Sequence, residues 1–283
     1  MGTWKEDVFT ILLIIVTIYF ANQYLMREGF DVNSLWIPDG YCTFMDAHDT
    51  RQFLLNDPDG YTSSMSNWDL LARNVTLELN YRKVAASSAA SFDVEKKARL
   101  VAAAKLADAY ILKLVNTPVA KKYGLDDYKE IEKLANLKWT FALTVGDAYE
   151  GGLPHTRTNV IFLSSLVDET PDSLTRTLVH EKIHVYQRMY PEHMVQMLGR
   201  LGFVRWKNAQ GVPRIRANPD TDPYIYIDPA TESPMLAVYT SDTPRSINDI
   251  DIKYGANEHP YETMAYDIAA GVPISPQRTK HSN

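Results

Sequence analysis

The chain has 283 residues, of which 45% are hydrophobic and 23% charged, with a formal net charge of -6. That is enough apolar material for one large domain or two small ones, each with a true core. The single cysteine, Cys42, excludes an intrachain disulfide framework. The acidic balance, with no basic run interleaved with aromatics, argues against nucleic acid as a partner.

The chain begins with a different kind of material. Val8–Met26, VFTILLIIVTIYFANQYLM, carries no charge. As a helix it is about 28 Å long, close to the thickness of a bilayer's hydrocarbon core. The residues before it, MGTWKED, are acidic, and no A-x-A-like cleavage site follows. The expectation is therefore an uncleaved, single-pass membrane anchor through residues 8–26 rather than a signal peptide. Lys5 and Arg27 flank it evenly, so the side of the membrane is not set. Residues 1–27 form this anchor, 28–137 read as a loop-rich and helical region, and 138–283 form a mixed region ending in a short flexible tail.

From Glu28 to about Asn80 the punctuation WIPDGYC and NDPDGYTSS marks turns. Short helices are predicted at Ala47–Leu55 and Asn67–Arg73. Asn74-Val75-Thr76 is a glycosylation sequon, meaningful only if the domain faces a secretory lumen. Ala85–Ser91 reads as a linker or a helix lead-in. Phe92–Val115 is one long helix, with Leu100, Ala103, Ala104, Ala107, Ile111 and Leu114 in step and Asn116-Thr117-Pro118 as its stop. A second helix covers Asp126–Leu137.

After Leu137 the period changes. KWTFALTVG alternates Trp139, Phe141, Leu143 and Val145, the pattern of a half-buried strand. Within TRTNVIFLSS, Thr156–Ser164 is a second strand, expected to pair antiparallel with the first. Thr170-Pro171-Asp172 is a strong helix start: a capping hydroxyl, a proline that fits the first helical position, and an acid at the positive end of the dipole. That helix is expected to reach about Met189, before Pro191.

Within it lies His180-Glu181-Lys182-Ile183-His184, an H-E-x-x-H pentapeptide. Residues four apart share a helix face, so the two imidazoles can address one ion while Glu181 projects from the adjacent flank. A tetrahedral zinc needs one more protein ligand and leaves one position for water. A carboxylate beside that water can take its proton. The plain alternative is two polar residues on an ordinary helix. It is weakened by the mid-helix placement, the strand pair before and the acidic candidates after. Those are Glu258, His259, Glu262 and Asp267, of which Glu262 stands in the first turn after Pro260, on the same side as the small Ala265.

This arrangement resembles the zincin group of zinc metallopeptidases, most closely the gluzincin branch, and lacks the metzincin extension because Gln187 and Tyr190 replace its glycine and histidine. NEHPYETMAYDIA is similar to the E-x-x-A helix that supplies the third ligand in several gluzincin families. With LPHTRTNVIFLSS and HEKIHVYQRMYP it looks like metallopeptidase-like sequences of large algal DNA viruses and marine microbes. The resemblance covers about Trp139–Ala270. It implies an α+β fold, mostly helical, with a small antiparallel sheet packed on the H-E-x-x-H helix. It also implies one Zn2+ held by His180, His184 and Glu262, with Glu181 as general base. A peptide or protein substrate would lie antiparallel along the strand Thr156–Ser164, bound mainly through backbone groups. One departure stands out: where thermolysin-like enzymes place an Asp four residues after the ligand Glu, this chain has Tyr266, and Asp267 comes one later.

A transition-state stabiliser is sought among His155, Tyr254, His259, Tyr261 and Tyr266. Asp220 and Asp222 read as an Asx-rich turn rather than a calcium loop. Cys42 reads as a small buried hydrophobe rather than an inhibitory thiolate. The expected function is a membrane-anchored zinc peptidase. The alternative is a non-catalytic structural or binding protein, of a virion or an envelope, on the same scaffold.

Overall fold

The computed structural model of the protein describes residues 40–164, 170–253 and 257–273. The expected anchor, Tyr254 and the C-terminal tail lie outside the described residues. Among those described, no helix is long and apolar enough to cross a membrane.

In chain order the elements are β1 (Cys42–Phe44), α1 (Ala47–Asn56), α2 (Asn67–Ala72), α3 (Glu78–Ser87), β2 (Ala89–Ala90), α4 (Val94–Leu112), α5 (Pro118–Tyr123) and α6 (Tyr128–Ala135). Then come β3 (Trp139–Thr144), β4 (His155–Arg157), β5 (Val160–Ser164), α7 (Pro171–Met189), α8 (Pro191–Arg200), β6 (Val204–Asn208), β7 (Tyr224–Asp228), β8 (Ser233–Tyr239), β9 (Ile250–Lys253) and α9 (Pro260–Ala269). The class is α+β, as expected. Ala85–Ser91 is no linker: it closes α3 and forms β2.

The first sheet is mixed, in the order β1-β3-β5-β4, with β2 paired to the end of β3. Here the structure corrects the expected pairing. Trp139–Thr144 and Val160–Ser164 run parallel, with Phe141 opposite Ile161 and Thr144 opposite Ser164. The stretch Thr156–Ser164 is not one strand but a hairpin: the end of its first arm, a two-residue turn and its second arm. β4 and β5 pair antiparallel, with Arg157 opposite Val160, across Thr158 and Asn159. Thr158 takes φ 53° there, a conformation that glycine usually supplies. The hairpin therefore carries none of the usual glycine signal. It makes β4, not β5, the edge of the sheet. A second sheet, β6-β7-β8-β9, is antiparallel throughout.

The core draws on both sides of residue 137. Leu100, Ala104, Ala107 and Ile111 of α4 and Ile131 of α6 pack with Phe141, Ile161, Leu178, Val179, Ile183, Met264, Ala265 and Ile268. Burying each of the Leu, Ile, Val, Phe and Met side chains among them contributes roughly 1.5–3 kcal/mol before entropy is counted. The result is a fixed bed for α7 and α9, the two helices that carry the site.

Candidate metal centre

Helix α7 starts as its sequence indicates. The Thr170 hydroxyl accepts from the Ser173 amide, and Pro171 occupies the first helical position. Leu178, Val179 and Ile183 are buried beneath it, so its opposite flank presents His180, Glu181 and His184. Helix α9 is capped by His259, whose Nδ1 accepts from the Tyr261 amide, and Pro260 follows. Its first turn brings Glu262 to the same place.

The three groups converge. His180 Nε2 and His184 Nε2 are 3.0 Å apart, and Glu262 Oε2 lies 3.5 Å from the first and 3.7 Å from the second. Two nitrogen or oxygen ligands about 2.0–2.1 Å from an ion at the tetrahedral angle are about 3.3 Å apart. The triangle therefore fits a small tetrahedral ion without rearrangement. The only other such cluster among the described residues, Asp46, His48 and Asp49, is fully exposed.

Electrostatics agree with a demand for positive charge at the centre. Burial lowers His180. Burial also opposes charge on His184, but Glu262 overcomes it and holds His184 up at about 10. Burial would raise Glu262, yet the two imidazoles hold it well below the usual carboxylate range. A cation held there would take the place of the proton on His184.

Around the triangle, buried partners fix each side chain. The Gln187 side-chain oxygen lies 2.8 Å from His184 Nδ1 and accepts its proton, so Nε2 is the nitrogen that faces the centre. Gln187 in turn donates to the Tyr261 carbonyl at 3.0 Å, tying α7 to α9. Asn218 Nδ2 donates to Glu262 Oε1 at 2.8 Å and also to Glu258. The Tyr266 ring meets His180 edge-on, with centroids 4.5 Å apart. Glu181 is 2% exposed and receives the Thr156 hydroxyl at 2.9 Å. Burial, and then the Asp220 carboxylate, hold Glu181 well above the usual range.

The remaining candidates divide. His155 borders the same cleft of about 710 Å³ as His180, Glu181, Glu262 and Tyr266. Its Nδ1 donates to the Leu153 carbonyl at 2.9 Å, and its buried Nε2 has no hydrogen-bond partner. Burial depresses it to about 4. In its neutral form His155 thus carries a buried Nε2 lone pair, with no donor left for a transition state. His259 is placed elsewhere: as the α9 cap it spends Nδ1 on Tyr261 and directs Nε2 at Asp222, 3.2 Å away. Tyr261 packs its ring on His259. Glu258 pairs with Arg216, and Asp267 accepts from Tyr123 and Lys122, so neither joins the triangle. Asp220 and Asp222 lie in Asx turns: the Asn218 side chain accepts from the Asp220 amide, and Asp222 accepts from the Tyr224 amide. Cys42 sits on β1, its thiol pushed up to about 12 by burial and then by Asp108.

Gln187, Asn218 and Thr156 were not legible as site residues. Gln187 lies one turn beyond His184, the single local signal. Compared with family models, curated proteins and solved structures, the chain finds no match.

Proposed function

We propose that the chain is a zinc-dependent metallopeptidase, held at a membrane by residues 8–26. The observation that carries this reading is the triangle of His180, His184 and Glu262 with Glu181 beside it. The donor set of two imidazoles and a carboxylate suits Zn2+. When bound, the ion polarises a substrate carbonyl and lowers the pKa of its water.

The chain's own residues supply the rest. Gln187 and Asn218 hold two ligands in orientation. Glu181, steadied by the Thr156 hydroxyl, is placed to accept a proton from water and return it to the leaving amine. The cleft admits a peptide beside Tyr266. The alternative, a non-catalytic protein on this scaffold, is favoured by one observation: the Thr156 amide at the sheet edge is already bonded to Asp220.

The deciding experiment pairs zinc analysis with digestion of a peptide library by the parent and by Glu181→Gln. We expect one zinc per chain in both and activity lower in the variant by about a hundredfold or more. Bound zinc without cleavage in either form supports the non-catalytic alternative, and absence of zinc sinks both.

A further inference from the structure

An edge strand normally presents outward every second N–H and C=O. On β4 the outward donor is Thr156. Its amide does not bond to β5 but donates to Asp220 Oδ1 at 2.5 Å. His155, Thr156 and Arg157 are buried although they form the sheet edge.

Arg157 is buried by Asp57, Asp59 and Tyr149, and His155 by Tyr149 and Phe162. What covers the Thr156 amide is the segment between β6 and β7, and it is tied down at several points. Arg216 donates its amide to the Ala237 carbonyl, beside a bridge between Ile215 and Val238. Asn218 bonds Glu262 and Glu258. The Pro219 carbonyl accepts from Arg188 of α7. Asp220 closes on Thr156. This segment is also a partition. Arg216–Pro219 border the cleft at the metal triangle and a second cavity of about 640 Å³ on the other side. Lifting its Pro219–Asp220 end would open the Thr156 amide toward the cleft that His155 borders.

The chemistry of the contact is informative. A peptide adding to a sheet edge places its carbonyl oxygens on the strand's outward amides. The Asp220 carboxylate makes that same bond to the amide next to Glu181. We propose that Pro219–Asp222 is an internal occupant of the substrate groove, and that an extended peptide binds by displacing it from Thr156 while Asn218 stays on Glu262. The assignment of the groove to a peptide rests on the metallopeptidase reading. The displacement exposes the Thr156 amide and leaves its hydroxyl free to stay on Glu181. It makes the closed state the resting state, with binding limited by release of the segment.

The test uses the full chain in detergent. Hydrogen exchange is followed in the fragment containing Thr156, and affinity for fluorescein-labelled peptides of a casein digest is measured in the Glu181→Gln background. Asp220→Ala is expected to speed exchange at Thr156, and to tighten peptide binding, each by about tenfold or more, the worth of one charge-assisted hydrogen bond. Fragments from β3 and β5 should keep their protection. Arg188→Gln, which frees the Pro219 carbonyl without touching the edge, should move both readouts the same way. Unchanged exchange at Thr156 in both variants overturns the proposal, as does faster exchange with unchanged or weaker peptide affinity. Zinc content of the same samples separates the two readings. Samples without zinc that still show both changes sink the metallopeptidase and leave the displaceable segment standing.

Discussion

The side-chain oxygen of Gln187 accepts a hydrogen bond from His184 Nδ1 at 2.8 Å. Gln187 is 1% exposed, and its amide nitrogen reaches the Tyr261 carbonyl. One residue thus fixes both the tautomer of a proposed ligand and the distance between the two ligand-bearing helices. Gln187→Leu preserves bulk and removes both bonds. Zinc affinity should fall by about 10–100-fold, the usual cost of losing an orienting partner. Gln187→Glu keeps an acceptor for Nδ1 and should lose less. Competitive chelator titration ranks the three proteins, and an unchanged far-ultraviolet spectrum shows that α7 survives. Equal affinity across the series would remove Gln187 from the centre.

The third ligand is tested the same way. Glu262 Oε2 lies within 3.7 Å of both imidazole nitrogens, whereas Glu258 pairs with Arg216 and Asp267 with Lys122. Glu262→Ala should weaken zinc binding by roughly a thousandfold or more, since one of three protein ligands is gone. Asp267→Ala should leave it unchanged. Glu258→Ala should have a small effect, because Asn218 keeps its bond to Glu262. Tight zinc binding by Glu262→Ala would end the assignment of a glutamate ligand.

The helices of the centre could be read from the chain because their signals are local. Thr170-Pro171-Asp172 caps α7, and His259-Pro260 starts α9 with Glu262 already facing inward. The sheet could not be read so easily. A two-residue turn at Thr158-Asn159 lacks the glycine that usually marks a hairpin, so β4 and β5 look like one strand. The parallel pairing of β3 with β5 depends on tertiary packing and not on alternation, which is the same for either direction. Asn218 and Thr156 escaped for a related reason. Each acts on a helix far away in sequence, and nothing in PRIRANPDTDP or HTRTN distinguishes such a residue from an ordinary turn or strand polar group.

A second buried network lies on the back of α7. Lys182 is 1% exposed, and its Nζ reaches Asp108 at 2.5 Å, the Ala135 carbonyl at 2.7 Å and the face of Trp139 at 4.2 Å. Asp108 also accepts from Tyr41 and Trp139. Two residues on from His180, Lys182 points about 200° away from it, so this network is structural. Lys182→Met strands the Asp108 charge and should cost about 3–5 kcal/mol of stability. Adding Asp108→Asn removes the stranded charge, keeps an acceptor for Tyr41 and Trp139, and should recover a good part. Urea unfolding measures both. Zinc affinity should not move, and if it does, the two faces of α7 are coupled.

Acid sensitivity follows from two buried groups near the cleft. Burial lowers His155 from 6.5 to about 4. The folded state therefore favours the neutral ring, and the unfolded chain takes up the proton first. Stability from this group is complete above about pH 6.5, falls as the pH drops from 6.5 toward 4, and is flat below. The total is about 3 kcal/mol. Glu150 moves from 4.5 to about 2: burial would raise it, but the Arg73 guanidinium, its oxygen partner at 2.5 Å, outweighs that. Its contribution is present above pH 4.5 and is lost between 4.5 and 2, a lower window. His155→Gln keeps a donor for the Leu153 carbonyl but does not titrate. The difference in unfolding free energy between parent and His155→Gln, measured with a chelator present so that zinc does not enter, should therefore shrink steadily from pH 7 to pH 4 and then stop changing. A difference that is constant over that range would show that His155 is not held neutral in the fold.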